Sequence, residues 1–141
     1  MPPYLEHANI CVPDIDAAIR FLKLIDPAFV VRHDEVGEDG YRWAHVGNDQ
    51  SYVALEEARI GTAPEAARTT YANYGINHLG WVVDDLDAVA ARLDAAGCRR
   101  GTPNDDHPHR RRTYYFDDAG QEWEIVQYLS DAAAQRNDYA Q

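Results

Sequence analysis

Residues 5–22 read LEHANICVPDIDAAIRFL, and residues 76–93 read INHLGWVVDDLDAVAARL. At an offset of 71 residues His7 falls on His78, and the aspartates and several apolar positions that follow them also coincide. Self-similarity at a fixed offset marks a structural unit that the chain repeats. The fold is therefore expected to consist of two copies of one module.

A second echo, at an offset of 68 residues, places Glu56 on Glu124 near the end of each copy. The two repeated patterns mark where each copy begins and ends, and the segment between the two copies is interpreted as a linker. After Leu129 the chain becomes polar and is interpreted as a tail. The chain is predicted to form a single domain over 1–141 with four parts: a module at 4–58, a linker at 59–74, a module at 75–128 and a tail at 129–141.

Each copy begins with a strand pattern that is followed by a helix pattern. Apolar residues alternate with polar or small ones up to Val12, a period of two that is typical of a half-buried strand. Asp14 is a suitable N-cap, and apolar residues at helical spacing follow it to Ile25. The second copy repeats this order, with Asp85 as the cap and Gly97 at the helix end. Three short strands are predicted to complete each module, at 29–35, 41–47 and 50–56 and at 98–102, 112–117 and 121–128.

Size and charge limit the class of function. The chain has 141 residues, enough for a core, and its net charge of −11 disfavours a phosphate backbone as partner. No apolar run is long enough to span a membrane. The first ten residues contain neither the basic segment nor the apolar segment of a signal peptide. Two cysteines, Cys11 and Cys98, do not make a disulfide framework. We therefore expect a cytoplasmic protein that binds a small molecule, not nucleic acid or a membrane.

One basic stretch departs from this acidic balance. It holds five of the thirteen basic residues: Arg99, Arg100, Arg110, Arg111 and Arg112. Such a stretch is either a solvated loop or a local site for an anionic group such as a carboxylate. The sequence alone leaves both interpretations open.

Four side chains of metal-ligand type share one placement on the predicted strands. Successive side chains of a strand point to opposite faces, so His7 lies away from the apolar positions that pack on the helix. The same alternation applies to Glu56, His78 and Glu124. A divalent metal such as nickel, zinc, iron, manganese or cobalt accepts imidazole and carboxylate together and offsets the cost of burying the carboxylates. His7, Glu56, His78 and Glu124 are therefore predicted to hold one divalent metal ion per chain.

The remaining ligand-type residues have weaker patterns. Four histidines lack a counterpart in the other copy or lie in a polar loop: His33, His45, His107 and His109. Glu57 and Glu122 neighbour the predicted carboxylate ligands, and a slip in strand register would put either of them in the site.

Three motifs resemble the vicinal oxygen chelate superfamily, which includes glyoxalase I, bleomycin resistance proteins, extradiol dioxygenases and fosfomycin-resistance proteins. HANICVPDIDAAIRFL at 7–22 is similar to the family's opening strand and helix, and NHLGWVVDDLDAVAARLDAAG at 77–97 to the opening of its second module. FDDAGQEWEIVQ at 116–127 resembles the family's DPDGxxxEL ending. The resemblance covers residues 4–128. It implies an α+β fold in which two tandem βαβββ modules form a metal-binding cleft.

The four predicted ligands are similar to the His-Glu-His-Glu set of bacterial glyoxalase I, which implies a metal-dependent lyase or isomerase. In that chemistry the vicinal oxygens of a small substrate bind the metal, and Glu56 or Glu124 removes a carbon-bound proton as the catalytic base. The metal stabilises the enediolate until the proton returns at the adjacent carbon. Short two-module chains of this family often dimerise, so the resemblance also implies a homodimer.

Two other functions stay open from the sequence. An extradiol dioxygenase would use His7, His78 and Glu124 as an iron triad, and the segment from Tyr114 to Glu124 resembles that family's signature without its proline. A non-catalytic protein of the same fold would instead bind a small ligand in a cavity lined by tyrosines: Tyr52, Tyr114 and Tyr128.

Overall fold

The computed structural model describes residues 2–59, 69–104 and 107–139. The chain forms two compact units, Met1–Asn73 and Tyr74–Gln141. Most of the predicted linker lies outside the described residues. The first unit consists of β1 (His7–Val12), α1 (Ile15–Ile25), β2 (Val30–Val36), β3 (Arg42–Gly47) and β4 (Tyr52–Glu57). The second consists of β5 (His78–Val82), α2 (Leu86–Ala95), β6 (Arg99–Arg100), β7 (Arg110–Phe116), β8 (Glu122–Tyr128) and α3 (Ala133–Arg136). The α+β class and the two βαβββ modules are confirmed.

Both long helices begin at the predicted aspartate caps. The side chain of Asp14 accepts a hydrogen bond from the backbone N–H of Ala17, and that of Asp85 from Ala88, each at 2.9 Å. These bonds satisfy an N–H that has no partner within the helix. In α1 the buried stripe includes Phe21 and packs on β3 and β4. None of the helices in the described ranges is long and apolar enough to cross a membrane.

The two units have the same sheet topology. The strand order is β1-β4-β3-β2 in the first and β5-β8-β7-β6 in the second. The first and last strands of each unit pair in parallel, and the remaining pairs are antiparallel. The last strand to be reached along the chain therefore lies inside the sheet, between the first strand and the third.

Side-chain alternation in β1 follows the prediction, whereas three successive residues of β4, Val53, Ala54 and Leu55, are buried. In β1, His7, Asn9 and Cys11 are exposed, whereas the residues between them are half-buried or buried. In β4, the residues Val53 and Leu55 are only 2% and 1% exposed and belong to the core. The predicted ligand His7 thus lies on the face of its sheet that points away from the core.

The strand predicted at 98–102 is reduced to Arg99–Arg100, and a buried carboxylate explains why. Glu122 is 1% exposed, and its Oε1 accepts hydrogen bonds from the backbone N–H of Thr102 at 2.6 Å and from the Thr102 hydroxyl at 2.8 Å. A Cβ on Gly101 would lie 2.3 Å from the same oxygen, so the glycine permits this approach. The backbone thus leaves the sheet to bind Glu122, whose Oε1 holds this turn.

The basic stretch pairs mostly with its own unit. Arg111 forms a two-pronged ion pair with Asp87 at 2.9 and 2.6 Å, and Arg100 binds Asp94 at 2.6 Å. Arg110 is 8% exposed and donates to main-chain carbonyls of the C-terminal tail at 3.2 Å. These partners favour a structural role for the arginines over a site for an anionic substrate.

Candidate metal centre and adjoining pocket

The two predicted ligands of the second unit lie in contact. His78 begins β5, and Glu124 lies on the parallel neighbour β8, opposite Gly80. Nε2 of His78 is 3.1 Å from Oε2 of Glu124, and the two side chains are 30% and 16% exposed. The two-residue step along the strand keeps both side chains on one face of the sheet. The second unit therefore forms an imidazole–carboxylate pair from its own residues.

Tyr114 holds the second oxygen of this carboxylate. It lies on β7 directly opposite Glu124, is 7% exposed, and donates its hydroxyl proton to Glu124 Oε1 at 2.9 Å. Its ring also meets the His78 ring edge-on, with centroids 5.5 Å apart. Both carboxylate oxygens of Glu124 are thus engaged, one by a phenol and one by an imidazole. The sequence pattern did not indicate this bond, because it depends on the pairing of β7 with β8.

The pair fits the donor chemistry of a divalent metal. Imidazole nitrogen and carboxylate oxygen bind such ions at about 2.0–2.2 Å, so two adjacent ligands of one ion lie about 3 Å apart. The 3.1 Å between His78 Nε2 and Glu124 Oε2 matches that separation. The two atoms could therefore serve as neighbouring ligands of one ion without a change in their spacing.

The first unit does not repeat this pairing. Glu56 lies opposite Cys11, four residues beyond His7, whereas Glu124 lies opposite the position two residues beyond His78. The 68-residue offset aligns the two glutamates. Relative to the histidine of its own unit, however, Glu56 lies two strand residues, or about 7 Å, further along the strand than Glu124 does. A sequence offset does not determine this displacement, because it depends on how the strands pair.

His7 and Glu56 have separate partners in the described structure. The His7 ring stacks on Tyr52 with centroids 4.8 Å apart, and its Nδ1 lies 2.9 Å from Glu6 Oε2. Glu56 accepts a long hydrogen bond from Asn9 Nδ2 at 3.4 Å. The first unit therefore contributes two candidate ligands on one face, but it does not bring them together.

A row of aromatic and imidazole rings crosses all four strands of the first unit. Centroid distances between successive rings are 4.8, 4.6, 5.1 and 4.2 Å, in the order His7, Tyr52, His45, Trp43 and His33. Burial lowers the pKa of His45, with a further contribution from positive neighbours, so this imidazole is neutral at pH 7. His33 and His45 lack counterparts in the second copy, and the sequence did not predict the row because it depends on the pairing of β2, β3 and β4.

A pocket of about 520 Å³ adjoins Glu56 in the same unit. It is formed by the turn between β2 and β3 together with residues of β3, of β4 and just beyond β4. Its lining includes Asp39, Tyr41, Trp43, His45, Glu56 and Arg59. Glu56 thus faces a space of the size that small-molecule sites commonly have.

The HxH pair of the second unit has a structural role. His107 Nδ1 accepts the backbone N–H of His109 at 3.1 Å, and His107 Nε2 bonds the carbonyl of Asp138 at 3.0 Å. Nε2 of His107 therefore helps to hold the tail, together with Arg110, whereas Nδ1 bonds the loop at His109. The Tyr128 ring is likewise covered by a tail residue, since the guanidinium of Arg136 lies 4.2 Å from its centroid.

Within the described ranges, no three or more His, Cys, Asp or Glu side chains form a group suited to a metal ion. Each unit supplies two of the four predicted ligands. The complete set therefore stays a prediction, of which the second unit presents one half as a contacting pair.

Duplicated βαβββ modules with an imidazole–carboxylate pair on one sheet define a class of protein. The family model described as the Glyoxalase/Bleomycin resistance protein/Dioxygenase superfamily matches residues 4–125. The chain belongs to this superfamily, as its motifs predicted. A comparison with curated proteins gave no significant match.

Solved structures share the fold at low sequence identity. A glyoxylase/bleomycin resistance protein/dioxygenase domain from Frankia sp. EAN1pec has a TM-score of 0.71 and 20% identity, over 91% of this chain and 99% of that one. The fosfomycin resistance protein FosX from Mesorhizobium loti has a TM-score of 0.66 and 18% identity, over 96% and 98%. FosX from Listeria monocytogenes, solved in complex with Mn(II) and sulfate, has a TM-score of 0.67 and 15% identity, over 98% and 100%.

Proposed function

We propose that this protein is a divalent-metal-dependent lyase or isomerase of the glyoxalase type, acting on a small substrate with vicinal oxygens. The observation that carries the proposal is the 3.1 Å contact between His78 Nε2 and Glu124 Oε2. Membership of the superfamily supports it, and so does the Mn(II) complex of the similarly folded FosX from Listeria monocytogenes.

The proposed metal ligands are His7, Glu56, His78 and Glu124, with one ion per chain. When bound, a divalent metal polarises the substrate oxygens and favours the enediolate form of the substrate. The residues of the chain then have two tasks, which are to orient the substrate and to move one proton between adjacent carbons.

The two carboxylates have unlike surroundings, which supports different roles for them. Glu124 is fixed by the Tyr114 hydroxyl at 2.9 Å and by the His78 imidazole. Among the described residues, Glu56 has one hydrogen bond, the 3.4 Å contact with Asn9, and it lines the pocket. A carboxylate that must reach a substrate carbon to take its proton is better served by weak contacts, since they leave its side chain able to move. We therefore assign Glu56 as the base and Glu124 as the positioned ligand.

The proton step balances without an oxidant. The Glu56 carboxylate takes a proton from a carbon next to a carbonyl group, and the electron pair of that C–H bond passes into the substrate as an enediolate. The protonated Glu56 then returns the proton to the neighbouring carbon, and the hydroxyl proton of the substrate passes to the former carbonyl oxygen. The substrate is isomerised, and the enzyme is restored.

The test follows the substrate proton directly. The metal-loaded protein is incubated in D₂O with 2-oxoaldehyde thiol adducts, and proton NMR records product formation and the incorporation of deuterium. Conversion to a 2-hydroxy thioester is the expected result, and Glu56→Gln should slow it by roughly a hundred- to ten-thousandfold. If metal-loaded protein neither converts nor exchanges any member of a panel of 2-oxoaldehyde adducts and hydroxy-ketones, the proposed reaction is wrong.

One observation favours a second candidate, a ring-cleaving dioxygenase. The two-residue displacement of Glu56 along β4 sets it apart from the arrangement of His78 with Glu124. Three ligands without Glu56 correspond to the two-histidine, one-carboxylate triad of oxygen-activating iron sites. Oxygen uptake with a catechol separates this candidate from the first.

A further inference from the structure

The pocket beside Glu56 combines aromatic rings with an excess of carboxylates. Tyr41 and Trp43 line it, and so do three acidic residues: Glu38, Asp39 and Glu56. A carboxylate attracts a cation by charge, and an aromatic ring attracts one through its negative face. Two independent kinds of group in the lining therefore favour the same kind of ligand.

The protein already holds one cation in this way. Nη2 of Arg59 lies 2.6 Å from Oδ2 of Asp39, and its guanidinium carbon lies 4.9 Å from the centroid of the Tyr41 ring. The Arg59 guanidinium neutralises one of the three carboxylates, so Glu38 and Glu56 determine the net charge of the pocket. The unmatched charge is negative, which suits a positively charged ligand.

The Trp43 ring is held in place by its neighbours. The ring of His33 stacks on it with centroids 4.2 Å apart and planes inclined by 29°. The ring of His45 meets it in an edge-on geometry at 5.1 Å. A ring that is already ordered loses little conformational entropy on binding, and tryptophan is the side chain that attracts cations most strongly.

We propose that this pocket binds a small organic cation, an ammonium or guanidinium group on a flat apolar body, and that such a group is carried by the substrate. The volume of about 520 Å³ accommodates one aromatic ring with a short amine arm. The proposal deepens the proposed function, since Glu56 belongs both to the proposed reaction and to the pocket. It is tested on chelated protein, because Glu56 is also a proposed metal ligand and a bound metal would neutralise its charge.

The test uses three probes of matched shape and different charge: 2-phenylethylamine, 2-phenylethanol and phenylacetate. Binding to the full chain is measured after chelation, by titration calorimetry and tryptophan fluorescence. The amine should bind at least about tenfold more tightly than either of the others. Equal affinity for the alcohol, or tighter binding of phenylacetate, would overturn the proposal.

Variants locate the binding on the lining residues. Glu38→Gln and Trp43→Leu should each weaken amine binding by about three- to thirtyfold. Trp43→Phe should weaken it less than Trp43→Leu does, because an aromatic ring is kept. Asp49→Asn is the matched control, because it removes one negative charge from an exposed turn of the same unit that does not line the pocket. An equal loss in Asp49→Asn would show a general charge effect and would also overturn the proposal.

Failure here and failure of the proposed function are distinguishable. The cation assay is read on chelated protein that lacks any substrate with vicinal oxygens. An amine that does not bind therefore leaves the proton-exchange test unaffected. If the protein binds the amine but converts no 2-oxoaldehyde adduct, the cation pocket is supported and the proposed reaction is wrong.

Discussion

The carboxylate of Glu124 lies between an imidazole and a phenol. Its Oε2 is 3.1 Å from His78 Nε2, and its Oε1 accepts the hydroxyl proton of Tyr114 at 2.9 Å. The three side chains come from three strands of one sheet, so the arrangement is set by backbone pairing. Glu124 is consequently the best-positioned of the four proposed ligands.

Metal content tests the proposed ligand set. Untagged protein purified without chelator should contain about one divalent ion per chain, and His78→Ala or Glu124→Ala should abolish tight binding because each removes a direct ligand. Elemental analysis after gel filtration measures this. His33→Ala is the control, since His33 is not a proposed ligand. Undiminished metal in the double variant His7→Ala and His78→Ala would contradict the site.

Tyr114→Phe tests the hydrogen bond to Glu124. Loss of a partner that orients a ligand typically lowers metal affinity about 10- to 100-fold. Competition with a fluorescent chelator gives the affinity, and circular dichroism checks that the variant is folded. Tyr128→Phe, in the same unit, should leave the affinity unchanged. If both variants bind metal as tightly as the parent, Tyr114 has no part in positioning Glu124.

Glu56→Gln separates the two enzymatic candidates. The change keeps the size of the side chain but removes its basicity. In a lyase or isomerase, turnover should fall by roughly a hundred- to ten-thousandfold, the usual effect of losing a general base. In a dioxygenase it should change little, because three ligands suffice. Oxygen uptake with a catechol, undiminished in this variant, would overturn the isomerase in favour of ring cleavage.

Alkaline stability should depend on Tyr115. Its phenol is fully buried and bonds Asp94 at 2.8 Å, and burial is the main cause that raises its pKa to about 12 from an ordinary value near 10. The raised pKa contributes stability that is complete below pH 10 and is lost as the pH rises through 12. Urea unfolding at pH 9 and pH 11 should show a smaller decrease for Tyr115→Phe. An equal decrease in both proteins would contradict this assignment.

The resemblance to the superfamily implies a homodimer in solution. Sedimentation velocity at tens of micromolar protein should show a species of twice the chain mass. The measurement should be made on chelated and metal-loaded protein, so that any effect of the metal on assembly is seen. A single monomeric species under both conditions would contradict the prediction.

Local patterns predicted the fold well, because the features that carry it are local. Asp14 and Asp85 bind N–H groups three residues ahead, so one short segment contains both partners of the bond. The alternation in β1 likewise needs no knowledge of other strands, and it correctly put His7 on the face away from the core.

The site was harder to predict, because its geometry depends on strand register. The offset that aligns Glu56 with Glu124 counts residues along the chain, and it does not include the two-residue difference in pairing. The burial of Glu122 was missed for a similar reason. A glutamate in a strand is usually exposed, and the approach of Gly101 and Thr102 stabilises this one inside the unit.

The parallel pairing of first and last strands also affects the order of assembly during translation. β1 gains its sheet neighbour only when β4 has been synthesised, so the first sheet is complete once Glu57 has left the ribosome. All of its strands precede His78, where the second sheet begins. Since the chain is synthesised from its N-terminus, the first unit can close its backbone ladder while the second is still being translated. Because the module is duplicated, each sheet is closed by two strands of the same half of the chain, so the slow pairing of distant strands never spans the whole polypeptide.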